Sequence, residues 1–306
     1  MSAMKSMNDD VLDLRDLRYF AACCSEGGLT AAARHLNIGQ PTLSHAMARL
    51  ERRLGETLLE RPANRRAGVR PTAAGKLLLV RARQVEGQLS GLQDDFAALR
   101  GVVRGELTIC SIQSLNATRL PRPLARFAAA HPGIALTLRT VASDEVPGAV
   151  REGRFDLGFL ALPALGSFPG IELTTVAREA FVAIVRADHP LAGEKQLALR
   201  RLADHPLVLV PPDTLTGAII HRACRQAGFT PRPVLALESG EALRETVRAG
   251  LGCTILPEGY LPPTDSELRA IRLVDPTPRR EVVAATRSEV PLSRAAAAFL
   301  AAVRTR

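Results

Sequence analysis

The chain has 306 residues, enough for two or three domains with cores of their own. Lys and Arg number 40 against 31 Asp and Glu, a net charge of +9 that points to polyanionic partners. No apolar run is long enough to span a bilayer, and five scattered cysteines without a CxxC pair exclude a disulfide framework.

The opening "MSAMKSMNDDVLDLRD" is polar and acidic and lacks the basic-then-apolar layout of a secretory signal. Residues 1–12 are therefore expected to form a disordered tail, and the protein to be cytoplasmic. From 13 to 71 the chain is Arg-rich and built of short helical patterns. Leu14, Leu17, Phe20, Ala21 and Cys24 recur at helical spacing, and Gly27-Gly28 ends the segment. Thr30 is placed to cap a second helix carrying Ala32, Ala33 and Leu36. "NIG" then makes a tight turn, with Asn37 and Gly39 tolerant of unusual backbone angles and Ile38 an apolar plug. Gln40-Pro41 opens a third helix, where proline is harmless because first-turn amides lack partners.

On a helical wheel, Leu43, Met47, Leu50 and Leu54 of this third helix share a stripe, with Ala46 at its edge. Pro41, Thr42, His45, Ala48, Arg49 and Arg52 fall on the other side. Such an outer face fits a helix-turn-helix whose second helix enters the major groove, where base edges offer donors and acceptors. A solvated face in a plain three-helix bundle has the same pattern. The next segment weighs against that plainer reading. Arg61, Arg65, Arg66 and Arg70 flank a turn with Asn64 and Gly68, the make-up of a basic hairpin wing lying along phosphates.

Thr72 is a good N-cap for a long helix over 72–101. Leu78, Ala82, Val85, Leu89, Leu92, Phe96 and Leu99 form an a/d heptad seam, although Gly87 and Gly91 each weaken the helix by about 1 kcal/mol. The seam packs either on its own domain or on a partner helix. Self-pairing would hold two reading heads at a fixed spacing.

These residues resemble a LysR-type transcriptional regulator. The resemblance covers nearly the whole chain, and its most specific part is "LRYFAACCSEGGLTAAARHLNIGQPTLSHAMARLERRLGETLLER" followed by "RPTAAG". Gly39 replaces the family's usual serine cap, His45 stands where arginine is frequent, and Leu59 where phenylalanine is usual. The stretch from Arg61 to Thr72 is about three residues longer than common. The resemblance implies a winged helix-turn-helix, a dimerising linker helix and a C-terminal α/β effector domain of two Rossmann-like lobes, of the periplasmic-binding-protein type. It also implies a homodimer or homotetramer on an interrupted palindrome in double-stranded DNA. RNA polymerase is an optional further partner; no membrane is involved.

The residues from 104 to 306 support this independently. "ELTIC", "IALTLR", "FDLGFLA", "FVAIV" and "PLVLVP" read as buried strands alternating with helices, hence α/β. Lobe I is expected over about 104–174 and 276–306, and lobe II over about 175–275, with crossings near Thr175 and Asp275. The cleft between the lobes, at the carboxyl ends of the strands, is the default ligand site. Its expected residues are Ser111, Gln113 and Ser114 in lobe I, with Thr214, Thr216, Gly217 and Ser239 in lobe II. By the resemblance Ser114 aligns with the Ser/Thr that often holds an effector, next to a helix N-terminus that favours an anion. Helix capping is the competing role for Ser114, Thr216 and Ser239. Phe159 and Leu160 either wall the cleft or are buried in the sheet.

The competing classes are an enzyme and a cytoplasmic small-molecule-binding protein. "AGLGCTILP" lacks the glycine fingerprint of a nucleotide loop. The six histidines show no metal-ligand spacing, and no nucleophile elbow is visible. No catalytic residue, metal or cofactor is therefore expected. The cysteines read as reduced, with a Cys224–Cys253 redox switch as the minor alternative.

Overall fold

The computed structural model describes residues 12–60, 68–99, 105–163, 166–262 and 264–304, with backbone alone at 90, 93–95 and 97–99. The chain divides into two compact units, Met1–Phe96 with Glu152–Arg154, and Ala97–Arg151 with Phe155–Arg306.

In the first unit, helices Leu14–Ser25, Leu29–His35 and Gln40–Leu54 pack round Phe20, Cys23, Ala32, Leu43, Met47 and Leu50. Asp13 caps the first, its side chain accepting from the Arg15 amide at 2.9 Å. The second helix is capped two residues before the expected Thr30. Gly28 holds its cap position without a side-chain bond, and Leu29 in the first turn packs against the core. Asn37 has the left-handed φ of 54° that the turn needs. Gly39 does not: its φ is −67°, an angle any residue adopts, so glycine there serves no backbone requirement.

After the third helix, Gly55 ends the segment in the left-handed conformation. Glu51 reaches past that end, and its Oε1 accepts from the amides of Leu58 at 2.8 Å and Leu59 at 3.3 Å. Strands β1 (Leu59–Glu60) and β2 (Arg70–Pro71) pair antiparallel, which gives the hairpin a stem. Thr72 caps the long helix Ala73–Leu99 as expected, accepting from the Gly75 amide at 3.0 Å. A side chain on Gly75 would strike the Leu58 carbonyl, so the helix meets the stem at a place only glycine allows. Along the seam, Ala82 is buried, Leu78, Val85 and Leu89 are half-buried, and Leu92 and Phe96 are exposed.

The second unit is an eight-stranded curled sheet. Its order is β4 (Ile134–Thr140), β3 (Gly105–Ser111), β5 (Leu157–Leu162), β12 (Arg279–Arg287), β6 (Ile171–Arg186), β11 (Leu268–Val274), β7 (Gln196–Ala198), with β10 (Thr254–Pro257) also on β6. Neighbouring residues on a strand enter different cores. Ile109, Phe159 and Val282 face Phe127 and Phe299, whereas Cys110, Leu160 and Val283 face Val146 and Val150. Farther along β6, Phe181 and Ala183 enter one core of lobe II and Val182 and Ile184 the other. Continuous apolar runs are thus strands covered on both faces.

The sheet is mixed, not uniformly parallel: β3 pairs β4 and β5 in parallel, while β12 is antiparallel to both β5 and β6. The reason is that β6 and β12 serve as the lobe connections themselves. β6 pairs β12 as far as Ala180 and takes up β10 from Phe181. The outward crossing therefore falls at Ala180–Phe181 and not at Thr175, because a single uninterrupted strand carries it. The return lies between Val274 and Arg279. "PLVLVP" is a shorter strand than its apolar run suggests: only β8 (Val208–Leu209) forms, paired with β9 (Leu235–Ala236).

Candidate functional site

The third helix of the first unit presents Gln40, Pro41, Thr42, His45, Ala48, Arg49 and Arg52 as exposed residues, with Ser44 half-buried at the edge. Arg52 donates from Nε to the Ala48 carbonyl at 3.2 Å. Arg70 is exposed on the hairpin stem; Arg61, Arg65 and Arg66 lie outside the described residues. Arg49 also makes contacts within the unit. Its Nη2 donates to Asp16 Oδ1 at 2.6 Å and its Nε to Oδ2 at 3.4 Å. Arg53 adds Nη1 to the same carboxylate at 3.5 Å. Asp16 lies on the first helix and is wholly buried. Arg49 thus ties the outer helix to the first one, a role its place on the wheel could not reveal.

In the second unit a cavity of about 250 Å³ opens between the lobes. It draws Gln113, Ser114, Thr214 and Thr216 together, as the sequence suggested, and adds Ser143, Glu238, Tyr260 and Arg280, which the sequence reading missed. Apolar wall comes from Ile112, Val141, Val210, Leu215 and Leu256.

Four expected residues are elsewhere. Ser111 is wholly buried at the end of β3, its hydroxyl near the Ile112 carbonyl. Phe159 is sealed in the lobe I core, edge-on to Phe299. Gly217 is buried, and a side chain there would run into the Pro211 carbonyl. Ser239 caps helix Gly240–Arg248, accepting from Ala242 at 3.3 Å and donating to Glu241 at 3.0 Å. Thr214 is on the cavity wall, but its hydroxyl is spent on capping: it accepts from the Gly217 amide at 3.0 Å and donates to the Pro211 carbonyl at 2.8 Å.

Arg280 is the principal charge of the cavity. It is 1 % exposed, and Nε donates to Glu179 Oε2 at 2.8 Å, while Nη1 donates to Ser114 Oγ at 3.1 Å. The helix that contains Ser114 spans only Gln113–Thr118, a short dipole, so the positive potential here belongs chiefly to the guanidinium. Tyr260 packs its ring against Gly240, where a side chain would collide with it. Burial pushes its hydroxyl well above the usual phenol range, with Glu241 acting the same way, so it stays a neutral donor.

Among the described residues, no cluster of His, Cys, Asp or Glu could hold a metal ion. Burial raises Cys224 to about 11 and Cys253 to about 12, the reverse of a reactive thiolate.

A helix-turn-helix unit beside a two-lobed unit with a ligand-sized cleft defines a ligand-responsive DNA-binding regulator. Two family descriptions match: "Bacterial regulatory helix-turn-helix protein, lysR family" over residues 14–76 and "LysR substrate binding domain" over residues 100–306. The chain belongs to the LysR family of transcriptional regulators, and it is a regulator and not an enzyme. It is 32% identical over 267 residues to the uncharacterised HTH-type regulator YnfL of Escherichia coli, covering 86% of this chain and 88% of that protein. The RuBisCO operon transcriptional regulator of Allochromatium vinosum is 30% identical over 263 residues, 86% of this chain and 84% of the other. Among solved structures, a full-length OxyR variant from Pseudomonas aeruginosa shares the fold, with a TM-score of 0.77 at 23% identity over 96% of this chain and 95% of that one. CbnR in complex with its target DNA gives a TM-score of 0.64 at 26% identity, over 96% and 99% of the chains.

Proposed function

We propose that the protein binds an interrupted palindrome in double-stranded DNA as a homodimer or homotetramer, and that a small anionic effector held between the lobes modulates its regulatory action. The observation that carries the ligand part is the cavity itself. Lobe I contributes Gln113 and Ser114, lobe II contributes Thr216, and the buried Arg280 supplies positive charge. A ligand touching both walls binds one lobe arrangement better than another, which is the condition for shifting a conformational equilibrium.

On the DNA side, Gln40, Thr42 and His45 are the candidates for base edges, with Pro41 and Ser44 shaping the helix start. Arg52, Arg70 and the wing arginines Arg61, Arg65 and Arg66 are assigned to phosphates. The exposed Leu92 and Phe96, at heptad spacing on the linker helix, favour self-pairing. No helix among the described residues is long and apolar enough to cross a membrane. A cytoplasmic location and a contact with RNA polymerase accompany this reading.

Footprinting of the full chain on the DNA upstream of its own gene tests the first part. Two protected half-sites related by a two-fold axis are expected; a single unpaired footprint would rule out the dimeric reading. Thermal-shift screening of the same protein against small anions and uncharged compounds tests the second.

A further inference from the structure

A charge cluster reaches the cleft wall through Arg280. Arg280 on β12 faces Glu179, its register partner on β6. Besides the Nε bond to Arg280, Glu179 accepts on Oε1 from Arg119 Nε at 3.2 Å. Two cations therefore share one anion, an excess of one positive charge. Glu179 is 4% and Arg280 1% exposed, so water screens little of that excess. The carboxylate that lines the cavity, Glu238, is exposed to solvent.

Hydrogen bonding at the cluster is also incomplete. Arg280 Nη2 lies 2.8 Å from Glu179 Oε2, yet it is buried without a hydrogen-bond partner: proximity there gives charge attraction, not a directed bond. The Ser114 hydroxyl accepts from Arg280 and donates to no described residue. A buried guanidinium group with an unmet donor, beside a hydroxyl with a free proton, is an arrangement that an oxyanion completes.

We propose that Arg280 is the anchor of the effector, and that its guanidinium and the Ser114 hydroxyl together receive the carboxylate of a small monocarboxylate whose remainder is apolar. The assignment rests on reading the cleft as the effector site. One negative charge matches the excess, whereas a phosphate group would bring nearly two. Val141, Val210, Leu215 and Leu256 give the remainder an apolar wall, and a cavity of about 250 Å³ limits its size. The anchor also stands at the hinge. Glu179 immediately precedes the point where β6 changes lobes, and Arg280 follows the return crossing. A ligand carboxylate that draws on Arg280 therefore acts where the lobes pivot.

The experiment is titration of the full chain with unbranched monocarboxylates from acetate to hexanoate and with benzoate, each beside its primary amide, with inorganic phosphate as a further probe. Melting temperature and titration heat are read. At least one carboxylate should bind while its amide and phosphate do not, and Ser114→Ala should weaken that binding about tenfold, the loss of one charge-assisted bond. Arg280→Gln should abolish it; Arg280→Lys, which keeps the charge and loses the fork, should restore part of it. Melting curves of each variant without ligand show whether it folds, and Ser114→Ala tests the anchor even if Arg280→Gln does not. Thr216→Trp, on the opposite wall, fills the cleft without touching the cluster.

Binding lost in Thr216→Trp but kept in Arg280→Gln and Ser114→Ala would overturn the anchor and leave the cleft reading standing. Binding kept in all three would overturn both. Equal binding of the amides, tighter binding of phosphate, or no response to any carboxylate would each overturn the ligand class.

Discussion

Asp16 in the DNA-reading unit and Glu179 in the effector unit each hold two arginines. Both carboxylates are buried, and at Glu179 the two guanidiniums leave one surplus positive charge. They differ in how far water reaches the arginines. The Arg49 side chain is 45% exposed, so water or a DNA phosphate can solvate it, whereas the Arg280 side chain is wholly buried. The same three charges thus tie two helices together in one place and set a buried guanidinium at a cavity wall in the other, and exposure of one guanidinium separates the two cases.

The largest effect that could break the comparison is expected at Glu179. Glu179→Gln leaves Arg280 buried without its counter-charge and should cost about 3–5 kcal/mol, read as a lowered melting temperature of the effector unit. Added anion should recover part of that loss. A variant as stable as wild type would show that the cluster is already solvated.

Asp16→Asn should cost less, about 1–3 kcal/mol, because Arg49 can turn outward to water. The reading helix then loses its tie to the first helix, so DNA affinity should fall on every sequence together. A cost equal to that of Glu179→Gln would remove the difference drawn between the two clusters.

Arg49→Ala and His45→Ala sharpen the comparison inside the reading helix. Arg49→Ala should weaken all sites by about 1–2 kcal/mol with base preference retained, since the tie is lost and not a base contact. His45→Ala should instead alter preference at one position, by about 1–3 kcal/mol between bases. Selection of sites from a randomised pool separates the two; a changed consensus for Arg49→Ala would restore it as a reader.

The smallest effect is at Gly39. Its backbone angles suit any residue, and a side chain would meet only ordinary contacts there. Gly39→Ser should supply the missing cap and raise stability by a few tenths of a kcal/mol, measured by denaturant titration, with DNA binding unchanged.

What the sequence determined by itself was local or periodic. The stripe of Leu43, Met47 and Leu50, the Thr72 cap and the doubly covered strands rest on spacings of two to four residues, and each has the burial or bond its spacing implies, whereas the heptad seam leaves Leu92 and Phe96 exposed. The cleft was legible too, because strand ends and helix starts recur where chain direction reverses. Strand alternation says that neighbours face opposite sides, but not which side meets a cleft, so Ser111 is expected in the cleft and found buried, and only the structure decides for Phe159 between cleft and core. The two charge clusters were beyond reach. Arg49 finds Asp16 across 33 residues and Arg280 finds Glu179 across 101, in a chain whose 40 basic residues are chemically alike. Only the packing that brings β12 beside β6, and the first helix beside the third, singles out which arginine loses its water and which keeps it.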